Sequence, residues 1–279
     1  MCGITGVYLF DGEDSPELVA LSLFSQQHRG QESCGISYTD GKRVYLKKGM
    51  GLVKDVFATE VLSDLQGRIG IGHVRYPTRG SSENHNSQPH IVETLFGPAY
   101  ALASNGDIVN YNAIKEDLLS KGVFFKSSND GELILRFLVY KIEMEKKSVI
   151  ESITELMKEV RGAFSTVLLM RDTLYLFRDP FGYRPMSFAE LSDGDFAVAS
   201  ETCALDILNP KYTKEVAPGQ IVVVNKKGIE FFNDNITKNH QHCIFEHIYF
   251  SRPDSVVFGE SVYEIRKKSV ENWLNATKI

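Results

Sequence analysis

The chain begins Met1-Cys2-Gly3-Ile4, and a small second residue such as cysteine invites removal of the initiator methionine. Cys2 would then carry a thiol and a free α-amine on one residue. The thiolate is the nucleophilic form, and an unperturbed thiol titrates at about 8.5. An α-amine titrates at about 7.7–8.0, close enough to neutrality to accept and return a proton. One residue can thus supply both nucleophile and base, as in other N-terminal nucleophile sites. A Met-Cys start alone is weak evidence, so the remaining polar segments carry the argument.

Four of these place unusual polar residues beside glycine. Gln27-His28-Arg29-Gly30-Gln31-Glu32-Ser33 follows a predicted helix. Its plain reading is a helix C-terminus, with Arg29 near the dipole and Gly30 as the cap. In Gly72-His73-Val74-Arg75-Tyr76-Pro77-Thr78, Arg75 ends a strand that reads as buried. A charge there needs a partner, either a structural carboxylate or a bound one held by the guanidinium fork. Ser104-Asn105-Gly106-Asp107 reads first as a turn, because Asn-Gly is a strong turn signal. The same pair could aim an amide and a backbone N–H at an oxyanion. Ser128-Asn129-Asp130-Gly131-Glu132 stands at a helix start, where Asp130 caps the helix or meets a ligand ammonium.

Short apolar runs between Gly, Asp and Asn must position these groups. Residues 4–10, 35–38, 43–47, 68–74 and 100–104 read as strands, as do 163–170, 174–178, 196–200 and 221–225. Helical spacing appears at 16–28, 113–120, 131–144 and 149–160, the last with Ile150, Ile153, Leu156, Met157 and Val160 on one face. Strand clusters interrupted by a few helices favour a layered α+β fold. The polar stretch 233–242 reads as a surface excursion, and 263–279 reads as helical.

Composition narrows the class. The chain has 279 residues, 43% hydrophobic and 24% charged, with net charge −5. That balance suits a globular protein and gives no case for nucleic acid or an anionic membrane as partner. Apolar stretches such as 163–170 are too short to span a bilayer, and the start lacks the pattern of a secretory signal. Cys2, Cys34, Cys203 and Cys243 are widely spaced with no CxxC pair, so no disulfide framework or metal site is expected. A cytoplasmic location is the expectation.

Taken together and in this order, Cys2-Gly3-Ile4, the 27–32 run, the 72–78 run, Asn105-Gly106 and Asp130 resemble the N-terminal nucleophile (class II) glutamine amidotransferases. Within these, the chain is most similar to the glutaminase domain of the glutamine phosphoribosylpyrophosphate amidotransferase family of purine biosynthesis. Asp179-Pro180-Phe181-Gly182-Tyr183-Arg184-Pro185, Ser200-Glu201-Thr202-Cys203-Ala204 and Phe250-Ser251-Arg252-Pro253-Asp254-Ser255 carry that closer likeness. The 27–32 and 251–255 runs argue against the sugar-phosphate aminating and asparagine-forming relatives. The resemblance implies a four-layer α-β-β-α sandwich, two antiparallel sheets between helical layers. It implies that Cys2 attacks the glutamine side-chain amide, and that Asn105 and Gly106 stabilise the oxyanion. Arg75, with Thr78, would hold the substrate carboxylate, and Asp130 its ammonium. Arg29 and Gly30 would shape the loop at the nucleophile.

The sequence also departs from the family. Ser104 stands where histidine is usual, and Gly131 where a hydroxyl residue is common. Cys243 matches an iron–sulfur ligand of some members, but its partner cysteines would fall beyond residue 279, so no cofactor is expected. Residues 1–240 read as the glutaminase domain and 241–279 as the start of a linker to a phosphoribosyltransferase domain. That domain's acidic pair and Gly-Thr-Thr phosphate loop do not occur in this sequence. A partner subunit or missing domain would then use the ammonia; a homo-oligomer is left open. The alternatives are a catalytically weak glutamine-binding regulatory subunit and a free-standing glutaminase with another ammonia acceptor.

Overall fold

A computed structural model describes residues 1–77, 80–94, 97–237 and 239–277, excluding the side chains of Gly97 and Pro98. In chain order the first half holds β1 (Gly3–Tyr8), α1 (Ser15–Ser25), β2 (Ser33–Thr39), β3 (Val44–Met50), α2 (Val53–Val56), α3 (Thr59–Leu62), β4 (Ile69–Arg75), β5 (His90–Thr94) and β6 (Gly97–Ile108). Helices α4 (Tyr111–Ser120), α5 (Asp130–Glu143) and α6 (Val149–Glu159) follow, then β7 (Gly162–Met170) and β8 (Thr173–Arg178). The rest comprises β9 (Ser187–Leu191), β10 (Phe196–Ala199), α7 (Cys203–Asp206), β11 (Pro210–Glu215), β12 (Ile221–Asn225), β13 (Gly228–Phe232), the short pair β14 (Val256–Val257) and β15 (Glu260–Ser261), and α8 (Val262–Thr277). No helix among the described residues is long and apolar enough to cross a membrane.

Two antiparallel sheets carry the structure. The first runs β11-β9-β10-β1-β4-β2-β3 and the second β13-β12-β8-β7-β6-β5. Between them lie Ile4, Ile69, Ile71, Ala101, Ala103, Val167 and Val198, all buried. Helix α1 covers the outer face of the first sheet through Val19 and Leu23. Helices α4, α5 and α6 cover the outer face of the second through Leu118, Leu133, Leu138, Ile153 and Leu156. The result is the four-layer sandwich that the sequence implies. Local sequence sets these helices. A capping box between Ser148 and Glu151 starts α6, and the Asn129 side chain accepts from Gly131 N–H to start α5.

Strand alternation aims the functional side chains. Successive residues face opposite sides of a sheet. Ile4 faces the inter-sheet layer, and therefore so does Cys2. Ile69 and Ile71 place His73 and Arg75 on that side, and Ala101 and Ala103 place Asn105 there. Strands β1, β4 and β6 thus bring Cys2, Arg75 and Asn105 to the inter-sheet side.

One local expectation is overturned. Asn105-Gly106 is no turn: both lie within β6, with Asn105 opposite Ser165 and Gly106 opposite Phe164. Long-range pairing with β7 overrides the turn preference of the dipeptide. The boundary expected at residue 240 falls before a stretch that packs against Ser25, Arg29, Glu201 and Thr202, with Glu246, Ser251, Ser255 and Val262 buried.

Candidate active site

Cys2 is buried just ahead of β1 and is held on three sides. Its backbone N–H donates to Asn105 Oδ1 at 3.1 Å, and its thiol lies 3.6 Å from the Tyr76 carbonyl. Its own carbonyl accepts from Arg29 Nε at 2.9 Å. The α-amine at Met1 has its pKa lowered, chiefly by burial. Loss of Met1 would transfer that terminal amine to Cys2, beside the Asn105 side chain. Asn105 is itself buried, and its Nδ2 has no hydrogen-bond partner among the described residues. A buried amide donor left unpaired costs roughly 1–3 kcal/mol, so a donor kept in this state calls for a functional reason.

Gly106 adds a second donor by strand geometry. Backbone groups point to alternate edges of an antiparallel strand. Ser104 N–H and C=O both meet the Gln88 side chain, on the β5 edge. Gly106, two residues on, directs its N–H to the same edge, beyond the end of β5. Its opposite neighbour Phe164 agrees with this phasing, since Phe164 N–H and C=O are both taken by Asp179.

Arg29 ends the 3-10 turn Gln27–Arg29 and is fully buried. Besides Cys2 it meets Glu201 through Nη1, and Glu246 through Nη1 at 2.9 Å and Nη2 at 2.7 Å. Its guanidinium carbon lies 4.8 Å from the Phe250 ring centre. Burial opposes its charge, but Glu246 and Glu201 offset this and hold its pKa above the ordinary arginine value. Burial would raise the pKa of Glu201, yet Arg29, with His28 and Arg252, holds it down to about 2. Glu201 is therefore ionised at neutral pH. Gly30 closes the 3-10 turn as its C-cap, its N–H donating to Gln27 O, but in an extended conformation (φ −165°). A Cβ there would sit 2.5 Å from the Val74 and Arg75 carbonyl carbons. Glycine is needed for this close approach of the loop to β4.

The expected substrate residues lie at the same end of the molecule. Arg75 is buried at the end of β4 and pairs with Glu32 at 2.6 Å, while Ser81 O accepts from it at 3.1 Å. Ser82 Oγ donates to the other Glu32 oxygen. Asp130 opens α5, buried, with Oδ2 accepting Ile108 N–H at 3.3 Å. Thr78 lies outside the described residues. Cys34 and Cys203 are buried, and burial pushes both thiols up to about 12, so they stay protonated at neutral pH. Cys243 instead takes a contact from Arg184 Nη1 at 3.2 Å.

The family described as glutamine amidotransferase domain matches residues 75–206. An amidophosphoribosyltransferase of Methanocaldococcus jannaschii is 38% identical over 283 residues, covering 96% of this chain and 59% of that protein. A chloroplastic amidophosphoribosyltransferase of Arabidopsis thaliana is 40% identical over 267 residues, covering 95% and 49%. The structure of glutamine phosphoribosylpyrophosphate amidotransferase from B. subtilis, with ADP and GMP, superposes with TM-score 0.87. It is 34% identical and covers 95% of this chain and 56% of that one. Residues 75–206 thus resemble the glutamine amidotransferase domain family, and nearly the whole chain resembles the first part of the amidophosphoribosyltransferases. A glutamine aminotransferase class-II domain protein from Silicibacter pomeroyi shares the fold alone, at TM-score 0.51 and 13% identity. The chain spans only about half to three-fifths of the length of the amidophosphoribosyltransferases it matches.

Several residues of the candidate site escape a reading of the sequence. Glu201 lies in a run that carries the resemblance, but its pairing with Arg29 has no local signal, and Glu246 has none at all. The segment 86–90 is likewise silent. Asn86 Oδ1 accepts Ser128 N–H at 3.1 Å, Gln88 holds Ser104, and His90 meets Asn129 at 3.1 Å. Ser104 and Gly131, the two departures from the family pattern, both adjoin Gln88.

Proposed function

We propose that this chain, once Met1 is removed, hydrolyses the side-chain amide of glutamine. The Cys2 thiolate attacks the amide carbon and forms a C–S bond, and the amide oxygen becomes an oxyanion. Asn105 Nδ2 and Gly106 N–H donate to that oxyanion. The Cys2 α-amine takes the thiol proton and returns it to the leaving nitrogen, so the C–N bond breaks and ammonia departs. Water then attacks the γ-glutamyl thioester and releases glutamate and the free thiol. Arg75 receives the substrate carboxylate, sharing its charge with Glu32, and Asp130 receives the ammonium. The observation that carries this reading is the Asn105 side chain: its oxygen is tied to Cys2 N–H while its nitrogen is buried and unpaired.

By analogy with the amidophosphoribosyltransferases, the ammonia goes to phosphoribosylpyrophosphate to form phosphoribosylamine. The transferase unit is a further domain or a partner subunit, in the cytoplasm. The test combines intact mass with glutamate release and labelling by diazo-oxonorleucine. Loss of Met1, steady glutamate release and one adduct on Cys2 are expected. Turnover unchanged in Cys2→Ala would refute the nucleophile.

A further inference from the structure

We propose that the Gln88 side-chain amide positions the Asn105–Gly106 oxyanion donors, by acting as a surrogate strand on the edge of β6. The inference rests on the glutaminase reading above and adds a positioning residue to it. Strand β5 pairs with β6 only as far as His90 opposite Leu102. Ser104 is the next residue whose backbone points to that edge. Its N–H donates to Gln88 Oε1 at 2.8 Å, and its C=O accepts from Gln88 Nε2 at 3.1 Å. A primary amide offers one donor and one acceptor side by side, as a peptide group does. Gln88 thereby extends the ladder one step beyond the backbone of β5.

The next tie on this edge is Ile108 N–H to Asp130 Oδ2 at 3.3 Å. Gly106 lies between the two ties, so its N–H opens into a gap bounded by Gln88 and Asp130. Gln88 is only 3% exposed. It is seated against Gly131, where an added Cβ would lie 2.5 Å from its Oε1 and 2.8 Å from its Cδ. One glutamine therefore couples the nucleophile's oxyanion strand to the first turn of α5. Catalytic donors need placement within about 0.5 Å, and a misplacement of about 1 Å can cost about 100-fold in rate. The clasp acts on the transition state, so its loss should appear in kcat and spare KM.

The test uses the full chain lacking Met1. Glutamate release gives kcat and KM, and alkylation of Cys2 by iodoacetamide reports the thiol alone, because that reaction forms no oxyanion. Gln88→Ala should lower kcat about 10–100-fold, with KM and alkylation rate unchanged. Gly131→Ala should do the same by pushing the amide aside. The two losses should not add, because the clashing group is absent from the double variant. In an Asn105→Ala background, where only the Gly106 donor remains to be positioned, Gln88→Ala should cost less than it does in the wild type. Wild-type kcat in Gln88→Ala would overturn the inference while leaving the glutaminase reading intact. An equal extra loss in the Asn105→Ala background, or a matching fall in alkylation, would reduce Gln88 to a structural residue. Wild-type turnover in Asn105→Ala would remove the oxyanion assignment itself. If Gln88→Ala does not fold by near-UV circular dichroism, Gly131→Ala decides, and unchanged kcat there overturns the inference.

Discussion

Replacing Arg29 by methionine tests the buried charge cluster behind the nucleophile. Arg29 is fully buried, as are Glu201 and Glu246, and its fork satisfies both carboxylates and the Cys2 carbonyl. Methionine keeps much of the apolar stem but leaves two carboxylates without their cation. Breaking a buried pair in this way costs about 3–5 kcal/mol. Remaining donors soften the loss: Ser251 Oγ still reaches Glu246 at 2.7 Å, and Ser255 Oγ still reaches Glu201 at 2.8 Å. The effect carries a pH signature. In the native chain Glu201 is held at about 2, below its unfolded value, so its contribution is complete above about 4.5 and fades only as pH falls towards 2. In Arg29→Met the orphaned carboxylates prefer to be neutral, and protons relieve them as pH falls from 7 to 5. The gap between the two proteins in urea unfolding should therefore be about 3–5 kcal/mol at pH 7 and clearly smaller at pH 5. Arg29→Lys should fall between, since a single ammonium cannot fork to three acceptors. A gap below about 1 kcal/mol, or one equal at both pH values, would refute the reasoning.

Arg75→Ala should raise the KM for glutamine by about 10–100-fold, the worth of a charge-assisted contact, with a smaller effect on kcat; an unchanged KM removes Arg75 from the substrate site. His73 is fully buried, and burial pushes its pKa down to about 3. The unfolded chain then takes up a proton first, so stability is complete above about 6.5 and declines towards pH 3, by about 1.4 kcal/mol per pH unit from this residue. Urea unfolding between pH 7 and 5 should show a flatter decline for His73→Gln, and an identical slope would contradict the assignment. Protein that retains Met1, separated by mass, should release almost no glutamate, because Cys2 N is then a peptide nitrogen; full turnover with Met1 in place would dismiss the α-amine as base.

The sequence by itself determined which residues are candidates for the chemistry and the order in which they occur. Cys2 at the start, Arg29-Gly30 after a helix, Arg75 at a strand end and Asp130 at a helix start are legible because residue type and local element coincide. Most strands and helices α1, α4, α5, α6 and α8 follow from periodicity, which is a local property. The tertiary structure decided what local signals could not. Asn-Gly favours a turn, yet pairing of β6 with β7 keeps it extended, and only that extension turns Gly106 N–H to the open edge. Gly30 looks like a helix cap, but it is glycine because β4 passes within contact of it. Glu246 lies 217 positions from Arg29, and Gln88 reaches Ser104 across a strand edge. No periodicity encodes such contacts, because they exist only once the sheets have stacked and a buried charge or backbone group must find its partner.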